Sequence, residues 1–295
     1  MKKLIVREKN FMNTLITFKV VQNESNTVEI LNAIEEGFGE FDRIVKQYTR
    51  FNEDSELSNL NRNSGEWVNI SAEFFYLIEY MLKLAEDTDG AFDPTIIDFL
   101  EIYGYDKNYD FSKLNNPELD SLVKKKLKNR KSFREIELNK EDLKVKLAKG
   151  QKIDLGGIGK GYAIDCAFKK IKNSNANLNN FLIDAGGDIR AVGKNQDNKT
   201  WRISLKAMLK ENKETVIGDI ELNNCSLSCS GSWARKVNQF HHLINPLTGK
   251  PENQRSTVYV QAKNGLISDS WATAIFIGGE NVLKKAPKDL KYFYL

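Results

Sequence analysis

A cluster of glycines around one lysine, at residues 152–165, constrains the fold of this chain more than any other segment. The segment reads KIDLGGIGKGYAID. Apolar residues alternate before the glycines, which predicts a strand, and they recur at helical spacing after them, which predicts a helix. A strand, glycine loop and helix in this order direct backbone N–H groups and the helix dipole at an anion, most often a phosphate. We therefore expect a phosphorylated ligand at this loop.

Two common phosphate-binding motifs fit the loop poorly. A P-loop needs a glycine five residues before the Gly-Lys pair and Ser or Thr after the lysine, but Asp154 and Gly161 occupy these positions. A dinucleotide fingerprint needs G-x-G-x-x-G, whereas this chain has G-x-G-x-G from Gly157 to Gly161. Because Asp184 lies at a tolerable distance to act as the ribose-binding acid, an NAD(P)-type dinucleotide domain stays open as a weaker alternative.

The order of predicted elements favours an α+β fold with mixed or antiparallel sheets flanked by helices. We expect helices over residues 28–48, from the cap Ser71 toward Gly90, and over 269–277. Predicted strands cover residues 14–21, 181–184, 203–205, 215–222 and 257–261. Strand and helix do not alternate often enough for a doubly wound parallel sheet. No linker marks a domain boundary, so we expect a single domain over residues 1–295.

Composition and charge exclude several classes of protein. The chain has 295 residues, a net charge of +4 and 41% hydrophobic residues, as is ordinary for a soluble globular protein. Twelve lysines and arginines fall between Lys124 and Lys152, but Phe133 is the one aromatic residue among them, so we expect no nucleic-acid partner. No apolar run is long enough for a signal peptide or a membrane span, and the three cysteines fit a reducing compartment. These observations predict a cytoplasmic location.

Two groups of residues could bind a metal ion. A zinc site would use Cys225, Cys229, His241 and His242, but two adjacent histidines cannot easily reach one ion from an extended segment. In SDSWATA at residues 268–274, Ser268 is a candidate N-cap, and Asp269 and Thr273 are four residues apart on one helix face. A carboxylate and a hydroxyl on one side of a helix are hard oxygen ligands that suit Mg²⁺.

Taken together and in order, several motifs resemble the ApbE family of FAD:protein FMN transferases. The motifs are FDPT, DLGGIGKGYAID, DAGGDIRAVG, SCSG, HHLINPLTGKP and DSWATA. Residues 49–61 resemble the early S-E-L-x-x-L-N motif of that family, and residues 11–20 resemble its opening strand. The resemblance covers about residues 11–280.

This resemblance implies an enzyme that splits FAD in the presence of Mg²⁺. It would transfer the FMN moiety to a Thr or Ser hydroxyl of an acceptor flavoprotein through a phosphoester bond and release AMP. The resemblance implies three metal ligands, Asp269, Thr273 and Gly157, the last through its carbonyl. It implies FAD contacts from Met12, Phe51, Ala91, Phe92, Asp93, Asp154, Lys160 and Ile244, with Lys160 offsetting the pyrophosphate charge. His242 would take the proton of the incoming hydroxyl, and Asp269 would also be essential for catalysis.

One alternative function stays open within the same resemblance. A flavin-binding relative could hydrolyse FAD to FMN and AMP without a protein acceptor. The chain also departs from the usual family pattern, since Asn13 replaces the glycine after Met12 and Phe51 stands where Tyr is frequent.

Overall fold

The protein was analysed as a computed structural model, which describes residues 2–22, 26–209 and 213–295. Its helices are α1 Thr27–Tyr48, α2 Glu56–Arg62, α3 Ala72–Asp87, α4 Ile97–Ile102, α5 Leu119–Lys128, α6 Gly159–Lys172 and α7 Gly265–Leu283. Short 3-10 helices cover Phe111–Asn115 and Phe133–Glu135. Of the helices in the described ranges, none is both long and apolar enough to cross a lipid bilayer.

The strands form one large sheet and three small ones. In chain order they are β1 Leu4–Phe11, β2 Thr14–Val21, β3 Trp67–Asn69, β4 Glu137–Asn139, β5 Lys144–Lys146, β6 Phe181–Ala185, β7 Ile189–Val192, β8 Trp201–Leu209, β9 Lys213–Leu222, β10 Cys225–Gly231, β11 Ile244–Asn245, β12 Lys250–Pro251, β13 Thr257–Ala262 and β14 Lys291–Tyr294. The large sheet has the order β1-β2-β6-β7-β10-β13-β14, and each neighbouring pair is antiparallel. The α+β prediction is confirmed. A dinucleotide-binding fold, whose sheet is mostly parallel, does not fit this topology.

Each face of the large sheet packs against a different layer. Alternate side chains of β2, β6 and β13 point to one face, where α1, α3, α6 and α7 form the main hydrophobic core. The opposite face contributes a second core, including Leu182, Leu227 and Tyr259, which is covered by side chains of the β8–β9 ribbon. The main core and the second core therefore lie on opposite faces of the sheet.

The predicted helices form for the expected reasons. Apolar residues recur along α1 at helical spacing and are buried, and Asn26 caps the helix by accepting a hydrogen bond from the N–H of Glu29 at 2.9 Å. Ser71 caps α3 as predicted, accepting from the N–H of Phe74 at 3.2 Å. These local signals agree with the tertiary packing.

The strand expected before the glycine cluster forms only in part, as β5 Lys144–Lys146. In the small sheet β3-β5-β4, strand β5 ends at Lys146, and residues 147–155 continue to the glycine loop without pairing to another strand. The side chain of Asn61 takes the place of a neighbouring strand, because its amide donates to the carbonyl of Ile153 at 3.0 Å and its oxygen accepts from the N–H of Ile153 at 2.8 Å. The apolar alternation reflects burial of Ile153 and Leu155 in the core rather than a sheet.

Two further boundaries differ from the sequence prediction. Helix α7 begins at Gly265 and is capped by Asn264, which accepts from the N–H of Ile267 at 3.0 Å. Ser268 lies inside this helix and is buried, and its hydroxyl is hydrogen-bonded to that of Ser228 at 2.8 Å.

The segment 11–20 is not one strand, since β1 and β2 are joined by a turn at Met12 and Asn13 with φ of 52° and 58°. Asparagine tolerates this left-handed conformation, which explains how it can replace glycine there.

Candidate active site

All of the predicted site residues line one cavity of about 840 Å³. This volume lies in the upper part of the range for small-molecule and cofactor sites, roughly 300–1,000 Å³. The lining residues come from both ends of the chain, and those expected from the sequence are Met12, Phe51, Ala91, Phe92, Asp93, Asp154, Gly157, Lys160, His242, Ile244, Asp269 and Thr273. The fold therefore brings segments more than two hundred residues apart into one site.

Oxygen ligands suitable for a hard cation converge at one wall of this cavity. Asp269 and Thr273 lie one turn apart on α7. Gly157 faces them so closely that a Cβ added to it would lie 3.5 Å from Cγ2 of Thr273 and 2.9 Å from the ring of Phe92. Among the residues that the structure describes, the hydroxyl of Thr273 makes one long contact of 3.4 Å, with the hydroxyl of Ser230. One carboxylate, one hydroxyl and a nearby loop backbone are a fitting donor set for Mg²⁺.

The carboxylate of Asp269 is held in place by the glycine loop. Its Oδ2 accepts from the N–H of Gly161 at 2.9 Å, within the first turn of α6. Burial, and next the charge of Asp188, raise the pKa of this carboxyl group above its usual range. A second acidic group close to a buried carboxylate is an arrangement that a bound cation would stabilise.

The close contact between α6 and α7 depends on two glycines. A Cβ on Gly161 would lie 2.1 Å from the carbonyl oxygen of Gly265, and a Cβ on Gly265 would lie 2.4 Å from the carbonyl oxygen of Gly161. Asp165 fixes the same junction by accepting from the N–H of Gly265 at 2.8 Å and of Leu266 at 2.9 Å. The glycines of the loop thus serve helix packing as well as ligand approach.

Lys160 is paired with Asp188, an acidic residue that was not among the predicted site residues. Its ammonium group forms an ion pair with the carboxylate of Asp188, whose side chain is 1% exposed. Burial disfavours the charged amine, but Asp188 and Asp269 outweigh it and raise the pKa of Lys160. Lys160 is therefore a structural counter-ion to Asp188, and its charge is only partly available to a phosphate.

His242 presents a neutral imidazole to the cavity. Its Nδ1 is buried and has no hydrogen-bond partner among the residues described here. Burial, followed by the nearby charge of Arg235, lowers the pKa of His242 to about 3. The neighbouring His241 is buried in a different contact, with Nε2 3.2 Å from Oδ1 of Asn253 and Nδ1 accepting from the N–H of Leu243 at 3.2 Å. Of the two histidines, only His242 lines the cavity.

Both oxygens of the Asp93 carboxylate interact with groups of the protein itself. Its Oδ1 accepts from the N–H and the hydroxyl of Thr95 at 2.8 and 2.7 Å, and its Oδ2 pairs with the guanidinium of Arg130. Asp93 is itself buried. Because both carboxylate oxygens are engaged by these partners, the side chain of Asp93 stabilises the turn that follows Phe92. Any contact of Asp93 with a nucleotide would therefore use its backbone.

Asp154 and Phe51 also line the cavity. Asp154 is half-buried, with Oδ2 accepting from the N–H of Gly156 at 3.2 Å and Oδ1 3.8 Å from Nε of Arg50. Arg50 stacks on the ring of Phe51 at 4.3 Å. Met12 lies in the β1–β2 turn, and Ile244 is fully buried in β11. These residues add both apolar and charged surface to the lining of the cavity.

The residues of the zinc alternative do not come together. The Sγ of Cys225 accepts from Nε2 of Gln261 at 3.0 Å, whereas Cys229 lines the cavity, and burial raises the pKa of its thiol to about 12. In the part of the chain that the structure describes, no group of three or more His, Cys, Asp or Glu side chains is arranged to hold a metal ion.

The sequence analysis missed two arginines of the cavity and one buried acid. Arg50 and Arg235 line the cavity, and Asp188 lies behind it as the partner of Lys160. Asp188 belongs to the DAGGDIRAVG motif, so its place beside a glycine pair was a usable signal. Neither arginine has any local pattern that distinguishes it from a surface residue.

The sequence and the fold both match one family of known proteins. A sequence model of the ApbE family matches residues 12–293. The FAD:protein FMN transferase of Haemophilus influenzae is 29% identical over 83% of this chain and 72% of its own length. The corresponding protein of Treponema pallidum is 27% identical over 88% of this chain and 75% of its own length.

Solved structures give the same result for the fold. The crystal structure of the ApbE protein of Thermotoga maritima superposes with a TM-score of 0.87 at 26% identity, over 99% of this chain and 94% of that one. The flavin transferase ApbE of Vibrio cholerae has a TM-score of 0.83 at 20% identity, over 100% and 97% of the two chains. The family match spans nearly all of the sequence and agrees with the motifs, so this chain belongs to the ApbE family.

Proposed function

We propose that this protein transfers the FMN moiety of FAD to a Thr or Ser hydroxyl of an acceptor flavoprotein, in a Mg²⁺-dependent reaction that releases AMP. The observation that supports this most strongly is the convergence of a carboxylate and hydroxyl on α7, the glycine loop and a neutral histidine on one large cavity. The names of its relatives, which are FAD:protein FMN transferases, point to the same reaction.

The proposed chemistry needs positioning and charge neutralisation more than covalent participation by the protein. Asp269, Thr273 and the carbonyl of Gly157 would hold Mg²⁺, which when bound would neutralise charge on the pyrophosphate oxygens. Phe51 and Phe92 offer apolar surface to the flavin nucleotide. The amides at the start of α6 contribute the positive end of the helix dipole.

His242 is suited to receive the proton of the acceptor hydroxyl. In the free protein its imidazole is neutral, because burial and then Arg235 keep its pKa at about 3. A pyrophosphate in the cavity would add negative charge and raise the basicity of the ring. The attacking oxygen would form a bond to the FMN phosphorus while the bond from that phosphorus to the AMP oxygen breaks.

Mass spectrometry of a mixture of protein, FAD, Mg²⁺ and candidate acceptor tests this proposal. A mass gain on the acceptor equal to FMN less one water, mapped to a Thr or Ser, supports transfer. Free FMN and AMP with an unmodified acceptor would instead support FAD hydrolysis. An acceptor in which every candidate Thr and Ser is replaced by Ala or Val serves as the matched control.

A further inference from the structure

We propose that Arg235 is the basic side chain that binds the FAD pyrophosphate and the departing AMP and helps to neutralise their charge, a role that the sequence had assigned to Lys160. This inference rests on the proposed function and adds a specific catalytic residue to it. The charges and contacts of the basic side chains around the cavity lead to this assignment.

Basic side chains that line the cavity differ in whether their charge is already used. They are Arg50, Lys160, Lys206 and Arg235. Lys160 is paired with Asp188, and Nζ of Lys206 lies 3.1 Å from Oε1 of Glu214. Arg50 donates to the carbonyl of Tyr105 and lies within 4.0 Å of Asp154 and Glu101. Within the described part of the chain, the guanidinium of Arg235 has neither an acidic partner nor a hydrogen bond.

The backbone holds Arg235 at the cavity although its side chain is exposed. Its φ is 53°, a conformation that non-glycine residues seldom adopt. Its carbonyl accepts a hydrogen bond from the hydroxyl of Tyr105 at 2.7 Å. Two residues earlier, the indole of Trp233 lies so close to Gly231 that an added Cβ would be 2.5 Å from Nε1. These two contacts fix the backbone on both sides of Ala234 and so hold Arg235 at the cavity.

The charge of Arg235 reaches the other members of the site. It contributes, after burial, to lowering the pKa of His242, and it opposes the raised pKa of Asp269 and of Lys160. Arg235 also lines the same cavity as His242 and Asp269, where a phosphate would be within the reach of its charge.

The proposed reaction moves negative charge onto a group that such a cation would bind. FAD carries two negative charges on its pyrophosphate. When the hydroxyl oxygen bonds to the FMN phosphorus, the hydroxyl proton is lost, the new phosphodiester keeps one negative charge, and AMP leaves with the bonding electron pair and two negative charges. The leaving phosphate therefore gains charge during the step, and a guanidinium that binds it stabilises the transition state more than the substrate.

Two separate variants, R235Q and R235K, test this role. We expect R235Q to lower kcat for FMN transfer by roughly 100-fold, as removal of one donor to a developing charge does elsewhere. By calorimetry, FAD and AMP should bind roughly 10–100-fold more weakly, while riboflavin, which lacks phosphate, should bind as it does to the unchanged protein. R235K should fall between the two, because lysine keeps the charge but loses the fork-shaped donor geometry.

The matched control is K236Q, which removes the adjacent exposed cation that does not line the cavity. K236Q should leave kcat and AMP affinity unchanged. Unchanged kcat and AMP affinity in R235Q would overturn the assignment, and so would an equal loss of riboflavin binding, which would mean that the cavity had collapsed. If the unchanged protein modifies no acceptor, the transfer proposal fails, but the AMP and riboflavin titrations still decide the role of Arg235.

Discussion

The ammonium group of Lys160 forms an ion pair with the buried carboxylate of Asp188. Lys160 lines the cavity, and its pairing with Asp188 joins the start of α6 to the β6–β7 turn. Oδ1 of Asp188 also accepts from the N–H of Cys229 on β10 at 3.3 Å. This contact ties three parts of the site together.

Removing one partner of this pair should destabilise the protein as well as inactivate it. We expect K160M to lower the free energy of unfolding by roughly 3–5 kcal/mol, since it leaves a buried carboxylate without a counter-ion. The double variant K160M/D188N removes both charges and keeps an acceptor for Cys229. It should recover most of the stability in urea unfolding without recovering transfer. If K160M unfolds like the unchanged protein, Lys160 is not a structural counter-ion.

Two glycines in the first turn of α6 should respond in opposite ways to a methyl group. G161A places a Cβ 2.1 Å from the carbonyl oxygen of Gly265 and 2.7 Å from Cβ of Asp269. Such overpacking should cost roughly 1–3 kcal/mol or more in thermal or urea unfolding. G159A meets no atom within 4 Å and should be neutral or stabilising by up to about 1 kcal/mol. Equal effects of the two variants would contradict the packing of α6 against α7.

Loss of the helix carboxylate should remove both metal binding and activity. We expect D269N to reduce Mg²⁺-dependent transfer by at least about 100-fold, because a metal that neutralises phosphate charge supplies several kcal/mol. Titration with Mg²⁺ should show weakened binding, and a chelator should inactivate the unchanged protein in the same way. D289N, which alters an exposed carboxylate, is the control. Mg²⁺-dependent turnover retained in D269N would contradict the metal assignment.

The two histidines of the chain should stay neutral across the physiological range. Burial, the largest cause in both, lowers the pKa of His241 and brings that of His242 to about 3. Nuclear magnetic resonance of the imidazole signals, assigned with H242N, should show no titration of His242 between pH 8 and 5 in the free protein. Bound FAD should raise its pKa, since the pyrophosphate is negative. Titration of His242 near pH 6.5 in the free protein would contradict a buried neutral base.

The lowered pKa of His242 also makes the free energy of unfolding depend on pH. The unfolded chain binds a proton at each histidine near pH 6.5, whereas folded His242 does so only near pH 3. The unfolded state therefore binds more protons in this window, and the histidine contribution to folding stability is lost as the pH falls from about 6.5 toward 3. H242N should flatten this part of the dependence of unfolding free energy on pH.

Much of the fold could be predicted because local patterns and tertiary packing agree. The helices α1 and α3 and the strand β2 have clear periodicity and, for the helices, clear caps. Strand β10 was missed because its sequence, CSLSCSG, is small and polar, and its place in the sheet comes from pairing with β7 and β13. The strand expected at Ile153 was wrong because the side chain of Asn61, distant in sequence, satisfies that backbone instead.

The candidate site was predictable as a set of residues but not as a set of contacts. The motifs named residues that the fold gathers around one cavity, Asp269 and Thr273 among them. They could not indicate that the carboxylate of Asp93 is hydrogen-bonded to Thr95 and paired with Arg130, or that the ammonium group of Lys160 is paired with Asp188. These pairings join segments far apart in the chain and depend on burial, which a linear pattern does not encode.

The most direct test of the proposed reaction is the intact mass of a candidate acceptor flavoprotein after incubation with this protein, FAD and Mg²⁺. The account predicts a gain equal to FMN less one water on a single Thr or Ser, with AMP released in equal amount and no gain when H242N or D269N replaces the unchanged protein. FMN and AMP formed at the full rate with no modified acceptor, or an acceptor modified equally well by D269N, would contradict it.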